Sequence, residues 1–146
     1  MLSRLFRRQK GKEAPELESQ RSSSWLASSL ADLKKAEELL KEDPDLAAFL
    51  AWQAARKAFK ALEKKAGRSL SESSFVKLLA QFPEGQYALK PVKDAALFLD
   101  HFRRLAKHDD LFQEVNLGLG PLGREDARRV IEAARLLINF LEHRLK

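Results

Sequence analysis

The run Phe49-Leu50-Ala51-Trp52-Gln53-Ala54-Ala55-Arg56-Lys57-Ala58-Phe59-Lys60-Ala61-Leu62 narrows the choice of fold more than any other part of the chain. Leu46, Leu50, Ala54, Ala58 and Ala61 form one helical row, and Phe49, Trp52, Ala55, Phe59 and Leu62 extend it sideways. An apolar surface this wide needs more than one neighbour. The alanines let another helix come close, and the aromatic residues supply bulk between them. The run is therefore expected to be the central helix of a bundle, with Phe49 buried among its neighbours.

The flanking sequence supports an all-α chain. Leu26, Leu30, Leu33, Ala36 and Leu40 repeat at helical spacing, with Ser22, Ser23 and Ser24 available as N-caps. Asp43-Pro44-Asp45 closes that helix and opens the central one, with Asp45 available as its cap, and Gly67 marks its end. So short a connection makes the first two helices antiparallel neighbours. Phe75, Val76, Leu78, Leu79 and Phe82 outline a short third helix ending at Pro83. Pro91 suits the first turn of a fourth, which would bury Val92, Ala95, Leu99, Phe102 and Ala106. Asp109 to Gly123 reads as a break, with Asp110 and Gln113 able to open a short helical turn through Val115. The last helix starts near Glu125-Asp126 and turns Ala127, Val130, Ile131, Ala134, Leu137, Ile138, Leu141 and Leu145 inward. Nothing alternates with the period of a strand, and no internal repeat is visible. The expected fold is an antiparallel up-and-down bundle of about five helices.

Charge divides the chain in two. Of the net +6, +5 comes from Arg4, Arg7, Arg8, Lys10 and Lys12 in a stretch without acids, so the rest is close to neutral. Residues 1–22 read as a mobile basic tail, able to act as a weak anchor to anionic lipid or RNA or simply as a solvated leader. Residues 23–146 read as a single domain, a size that suits one compact core. There is no cysteine, no run of the roughly 20 apolar residues a membrane span needs, and no signal-peptide core near Met1. A cytoplasmic protein is expected.

The run FLAWQAARKAFKAL, followed by a short loop and a second apolar helix, resembles the core helix of the HEPN family. The matching residues are Phe49, Gln53, Ala54, Lys57, Ala58, Lys60, Ala61 and Leu62; Arg56 departs from the pattern, since many relatives carry an acid there. The resemblance extends from about Trp25 to the C-terminus and implies a HEPN-like helical bundle. Some members are metal-independent, toxin-type ribonucleases of toxin–antitoxin pairs, and others are small partners of nucleotidyltransferases.

Arg103-Arg104-Leu105-Ala106-Lys107-His108 fits the R-x4-H spacing of the nuclease members, in which the 2'-hydroxyl of the RNA is the nucleophile. The resemblance implies Arg103 and His108 as catalytic residues. Arg104 and Lys107 lie beside them as candidate phosphate or nucleotide ligands. The chemistry suits the residue types: a histidine exchanges protons near neutral pH, and an arginine stays charged and can stabilise phosphate. Two features run against a site on one chain. The family usually has Asn, Asp or His directly after the arginine, where this chain has Arg104. Residues five apart on a continuous helix also point about 140° apart, so the motif needs a helix that ends before His108 or two copies that share a site. A homodimer is thus expected on the catalytic reading, with RNA or a nucleotide as its ligand. The alternative is a non-catalytic interaction module, dimeric or paired with a nucleotidyltransferase; the Arg-Tyr-Pro step of that branch is missing at Lys107-His108-Asp109. The plain structural reading is a basic last turn complementing the helix dipole.

No cofactor or metal is expected. His101 and His108 lie seven residues apart on one helix, about 10 Å along its axis and too far to share an ion. Gly118-Leu119-Gly120-Pro121-Leu122-Gly123 matches GxGxxG, but a dinucleotide fold needs a strand before it.

Overall fold

The computed structural model describes the backbone of residues 2–67, 74–81, 89–108 and 124–145, and the side chains of residues 21–67, 74–81, 89–103 and 124–145. Five helices make up the described chain: α1 (Leu2–Leu39), α2 (Pro44–Ala66), α3 (Phe75–Gln81), α4 (Lys90–His108) and α5 (Arg124–Leu145). There is no strand among the described residues. The turn expected through Val115, the glycine motif at 118–123 and Phe82 all lie outside them.

The turn between α1 and α2 is built by local chemistry. The N–H groups of Glu42 and Asp43 return to the Leu39 carbonyl at 3.1 and 2.8 Å. Asp43, not Asp45, is the cap of α2: its carboxylate accepts from the Leu46 N–H at 3.2 Å, and Pro44 takes the first turn where a missing N–H costs nothing. Asp45 instead places a negative charge in the first turn. Gly67 closes α2 as expected, at φ 65° and ψ 28°, a left-handed conformation that glycine adopts without a Cβ clash.

Alanine sets how closely α1 and α2 pack. Ala47, Ala48, Ala51, Ala54, Ala55, Ala58 and Ala61 are each fully buried. Against two of them α1 brings serine: Ser29 Oγ donates to the Ala54 carbonyl at 2.6 Å, and Ser22 Oγ donates to the Ala61 carbonyl at 2.8 Å. A hydroxyl on so short a stem reaches the neighbouring backbone only where two helices nearly touch, at the close end of the roughly 8–10 Å range of helix spacings. The two bonds share one register, which leads to the turn at residues 40–43. Farther out, Lys57 pairs with Asp32 at 2.7 Å and donates to Ser28 Oγ at 2.8 Å, while Gln53 donates to Asp32 at 3.3 Å.

Three expectations change here. α1 passes through Ser22, Ser23 and Ser24 without a break, so these residues do not cap it. Ser22 and Ser29 are buried in the helix contact instead, and Leu30, assigned inward by spacing, is 36% exposed. Phe49 is half-buried; the aromatic core residues of α2 are Phe59, at 0% exposure, and Trp52, at 6%. The reason is rotational: close packing turns the alanine stripe to α1, which brings Trp52 and Phe59 toward α3.

α5 runs along α2 and completes the core with Ala127, Val130, Ile131, Ala134, Leu137, Ile138 and Leu141, as expected. Both helices end on the same side, where Lys65 Nζ donates to the Leu145 carbonyl at 2.6 Å. α4 adds Val92, Ala95, Ala96, Leu99 and Phe102. No described helix is long and apolar enough to cross a membrane.

Two stability measurements test this packing. Phe59→Ala is expected to cost about 3–5 kcal/mol in denaturant unfolding, the range for a core aromatic, and Phe49→Ala about 1 kcal/mol, nearer an ordinary partly exposed site; equal costs would contradict the rotation of α2. Continuing the α1–α2 register carries the first fifteen or so residues of α1 past the end of α2. Deleting residues 1–21 is therefore expected to leave the melting temperature within about 3 °C of the full chain, a small change on the scale of 1 kcal/mol. A larger drop would mean the segment packs on the bundle.

Candidate functional site

The site begins with a short helix that needs help to form. α3 has seven residues, too few to be stable by itself. Asp100, on α4, supplies the help. Its carboxylate accepts from the Phe75 N–H at 2.7 Å, the Val76 N–H at 3.2 Å and the Ser74 hydroxyl at 2.7 Å. Ser74 Oγ in turn accepts from the Lys77 N–H at 3.3 Å. The N–H groups at the start of α3 are thus met by a negative charge from another helix, favoured also by the helix dipole.

Fixing α3 fixes Phe75, whose fully buried ring stacks on Phe59 with centroids 5.4 Å apart and planes at 13°. On another side Phe75 meets Trp52 at 5.7 Å in a tilted arrangement. Trp52, 6% exposed, carries the guanidinium of Arg103 over its ring, 4.7 Å from the centroid. That cation–π contact contributes roughly 1–2 kcal/mol in a partly desolvated place. It also gives a flexible side chain one preferred position.

Arg103 is half-buried, three residues beyond Asp100 on α4. Burial, and then the nearby charge of Arg56, hold its guanidinium below the ordinary arginine value. An arginine shifted in this way still carries its charge at neutral pH. Arg56 is itself half-buried, one turn after Trp52 on α2. The indole of Trp52 on α2 and the guanidinium of Arg103 on α4 therefore meet, within range of the charge of Arg56.

The other candidates are distributed as follows. α4 continues as helix through Arg104 and Lys107 to His108, its last residue. The helix does not end before His108, so on one chain positions 103 and 108 stay about 140° apart and are not brought together. The side chains of Arg104, Lys107 and His108 lie outside the described residues. His101 is exposed. Among the described residues no three His, Cys, Asp or Glu side chains are grouped to hold a metal.

Known proteins share both the sequence pattern and this architecture. The family model of the HEPN domain matches residues 22–144. The chain belongs to the HEPN family. The crystal structure of TT1696 from Thermus thermophilus is similar at 26% identity, covering 84% of this chain and 97% of that one, with a TM-score of 0.65. The crystal structure of ST0689, an archaeal HEPN homologue, is similar at 25% identity, covering 86% and 98%, with a TM-score of 0.66. No curated protein matches the chain significantly.

The HEPN-like residues quoted from the sequence act mainly in packing. The Ala54 and Ala61 carbonyls accept from serines of α1, Ala58 is fully buried, Gln53 and Lys57 reach Asp32, and Lys60 approaches the buried Glu63 at 3.6 Å. The sequence reading missed Trp52, Arg56 and Asp100 as parts of the site. Trp52 has the pattern of core bulk, and Asp100 that of one of several acids near helix ends.

Asp100→Ala is expected to lower stability by roughly 2–3 kcal/mol, the scale of losing hydrogen bonds to a charged acceptor. It is also expected to increase amide exchange at Phe75 and Val76 more than in α5. Unchanged exchange in α3 would show that its start is held by something else.

Proposed function

We propose that this HEPN protein binds the phosphates of RNA or a nucleotide at the C-terminal half of α4, with Arg103 as the principal ligand, and that RNA cleavage takes place where a second copy completes the site. The observation that supports phosphate binding is the posture of Arg103, held over Trp52 with its charge retained. A guanidinium fixed in advance loses little freedom on meeting a phosphate and offers two parallel donors. Arg104 and Lys107, on the same end of α4, would add charge along the backbone of the ligand.

Cleavage follows the resemblance of Arg103 and His108 to the R-x4-H pattern. In that reaction the 2'-oxygen forms a bond to phosphorus as its proton passes to a base. The bond from phosphorus to the 5'-oxygen breaks, and the leaving oxygen takes up a proton. His108 is the proton-exchanging group and Arg103 stabilises the charge gathered on the phosphoryl oxygens. No metal takes part. A shared site in a homodimer answers the separation of the two positions on one helix. The continuity of α4 through His108 is equally the observation that favours the second reading, a non-catalytic module that is dimeric or paired with a nucleotidyltransferase.

The full chain is expected to scatter light as a particle of about twice its 16.6 kDa mass and to cleave single-stranded RNA in EDTA, leaving 2',3'-cyclic phosphate ends. His108→Ala is expected to abolish cleavage, and Arg103→Ala to reduce it by roughly 10²-fold or more. Mixing the two inactive variants would then restore part of the activity, because one of the two shared sites in a mixed dimer is intact. Intact RNA after incubation with the wild type, alongside salt-sensitive RNA binding, would select the binding module.

A further inference from the structure

A shared site requires a second copy and does not say where that copy sits. α4 packs along α5, and an open groove of about 380 Å³ lies between them. The small side chains of Ala95 and Ala133, both buried, form the low part of its lining; those of Phe98 and Leu136, 36% and 45% exposed, form the high part. Leu97, beside Phe98 on α4, is 56% exposed. Large apolar side chains that gather at a groove, instead of being scattered singly, mark an interaction surface. Charge indicates the partner. The same lining carries Asp94 and Glu132 together with Arg129. Asp94 and Glu132 lie 3.3 Å from Lys90 and 3.9 Å from Arg128 on their own helices, but exposed pairs of this kind contribute little, and a carboxylate has further acceptor sites. A face with one sign of charge repels its own copy, whereas a face with both signs can pair with itself about a two-fold axis, acid to arginine twice over. The relief matches in the same way, since the raised Phe98 and Leu136 of one copy meet the low alanines of the other. Position on α4 agrees as well. Leu97, His101, Arg104 and His108 follow one another at spacings of four, three and four, so they share one side of the helix. A copy seated beside Leu97 and Phe98 therefore lies next to the side that carries position 108.

We propose that the α4–α5 groove is the seat of a second copy of this chain, each copy placing Phe98 and Leu136 over Ala95 and Ala133 of the other and pairing Arg129 with the other's acids. This inference rests on the shared-site reading above and names the face that builds the dimer. Removing Leu97, Phe98 and Leu136 from water drives the association, and the charge pairs at the groove fix its orientation. The same patch serves both copies, so the contact closes at two and does not propagate into a filament.

The test uses the full chain, with its mass followed by light scattering across a dilution series. Phe98→Glu and Leu136→Glu are each expected to raise the dimer dissociation constant about thirtyfold or more, the loss typical of a central interface residue. Leu30→Glu, at a position on α1 as exposed as Phe98, is expected to change it by less than about threefold, as for a residue outside the contact. Arg129→Glu and the double variant Asp94→Lys/Glu132→Lys are each expected to be monomeric where the wild type is paired. Their mixture is expected to recover the dimer mass, which misfolded chains would not do. Variants of this face that all remain dimeric would overturn the seat and leave the shared site standing on another surface. Loss of the dimer on deleting residues 1–21, with Phe98→Glu without effect, would assign the contact to that segment and also overturn the seat. A monomeric Phe98→Glu chain that cleaves RNA as the wild type does would uphold the seat and overturn the shared site. A wild-type chain that is monomeric throughout would overturn both and leave the groove to a different protein.

Discussion

The close contact of α1 with α2 is what the rest of this structure depends on. It is made by removing side chains: seven buried alanines on α2 leave a surface so low that Ser22 and Ser29 of α1 bond directly to backbone carbonyls. Buried hydroxyls are costly without partners and specific with them. The two bonds therefore fix the register of the helices along their length as well as their separation. A larger residue at Ala54 or Ala58 would push α1 away and strip both hydroxyls of their acceptors at once.

Giving one side of α2 to alanine leaves its bulk for the other sides. Phe59 and Trp52 turn to Phe75, and the aromatic contacts run from the core to the surface, where they end under Arg103. Asp100 holds the far side of this arrangement by capping α3. Asp100 and Arg103 are thus linked along α4 by sequence and, around it, through Phe75 and Trp52. Position at the candidate site is set by packing, which is why residues of the core and residues of the site cannot be separated cleanly here.

Much of the fold is readable from the chain itself. The helical spacing of α5 gives nearly its whole inward face from Ala127 to Leu141, missing the buried Ala133, because the inward positions are apolar and the signals point one way. The start and end of α2 are marked by Asp43-Pro44 and Gly67, whose roles follow from local backbone chemistry. Errors arise where one residue type serves two purposes. Serine is a good cap and also a good small partner for alanine, and Ser22 is the latter. Leu30 and Phe49 have inward spacing, but hydrophobic spacing gives a stripe and not its rotation against a neighbour.

The candidate site divides along the same line. By itself the sequence determined that α4 carries Arg103 and His108 five residues apart, that the body of the chain is nearly neutral, and that the alanine-rich run resembles HEPN. These are matters of spacing, composition and pattern, each contained in neighbouring residues. Only the tertiary structure decided that Arg103 lies on Trp52, that Arg56 is its neighbour, and that Asp100 holds α3. Each of those contacts joins residues far apart in the chain, and their meeting depends on how far α2 is rotated by its alanine face. No local rule contains that angle, because it is set by the balance of packing among all the helices that α2 touches.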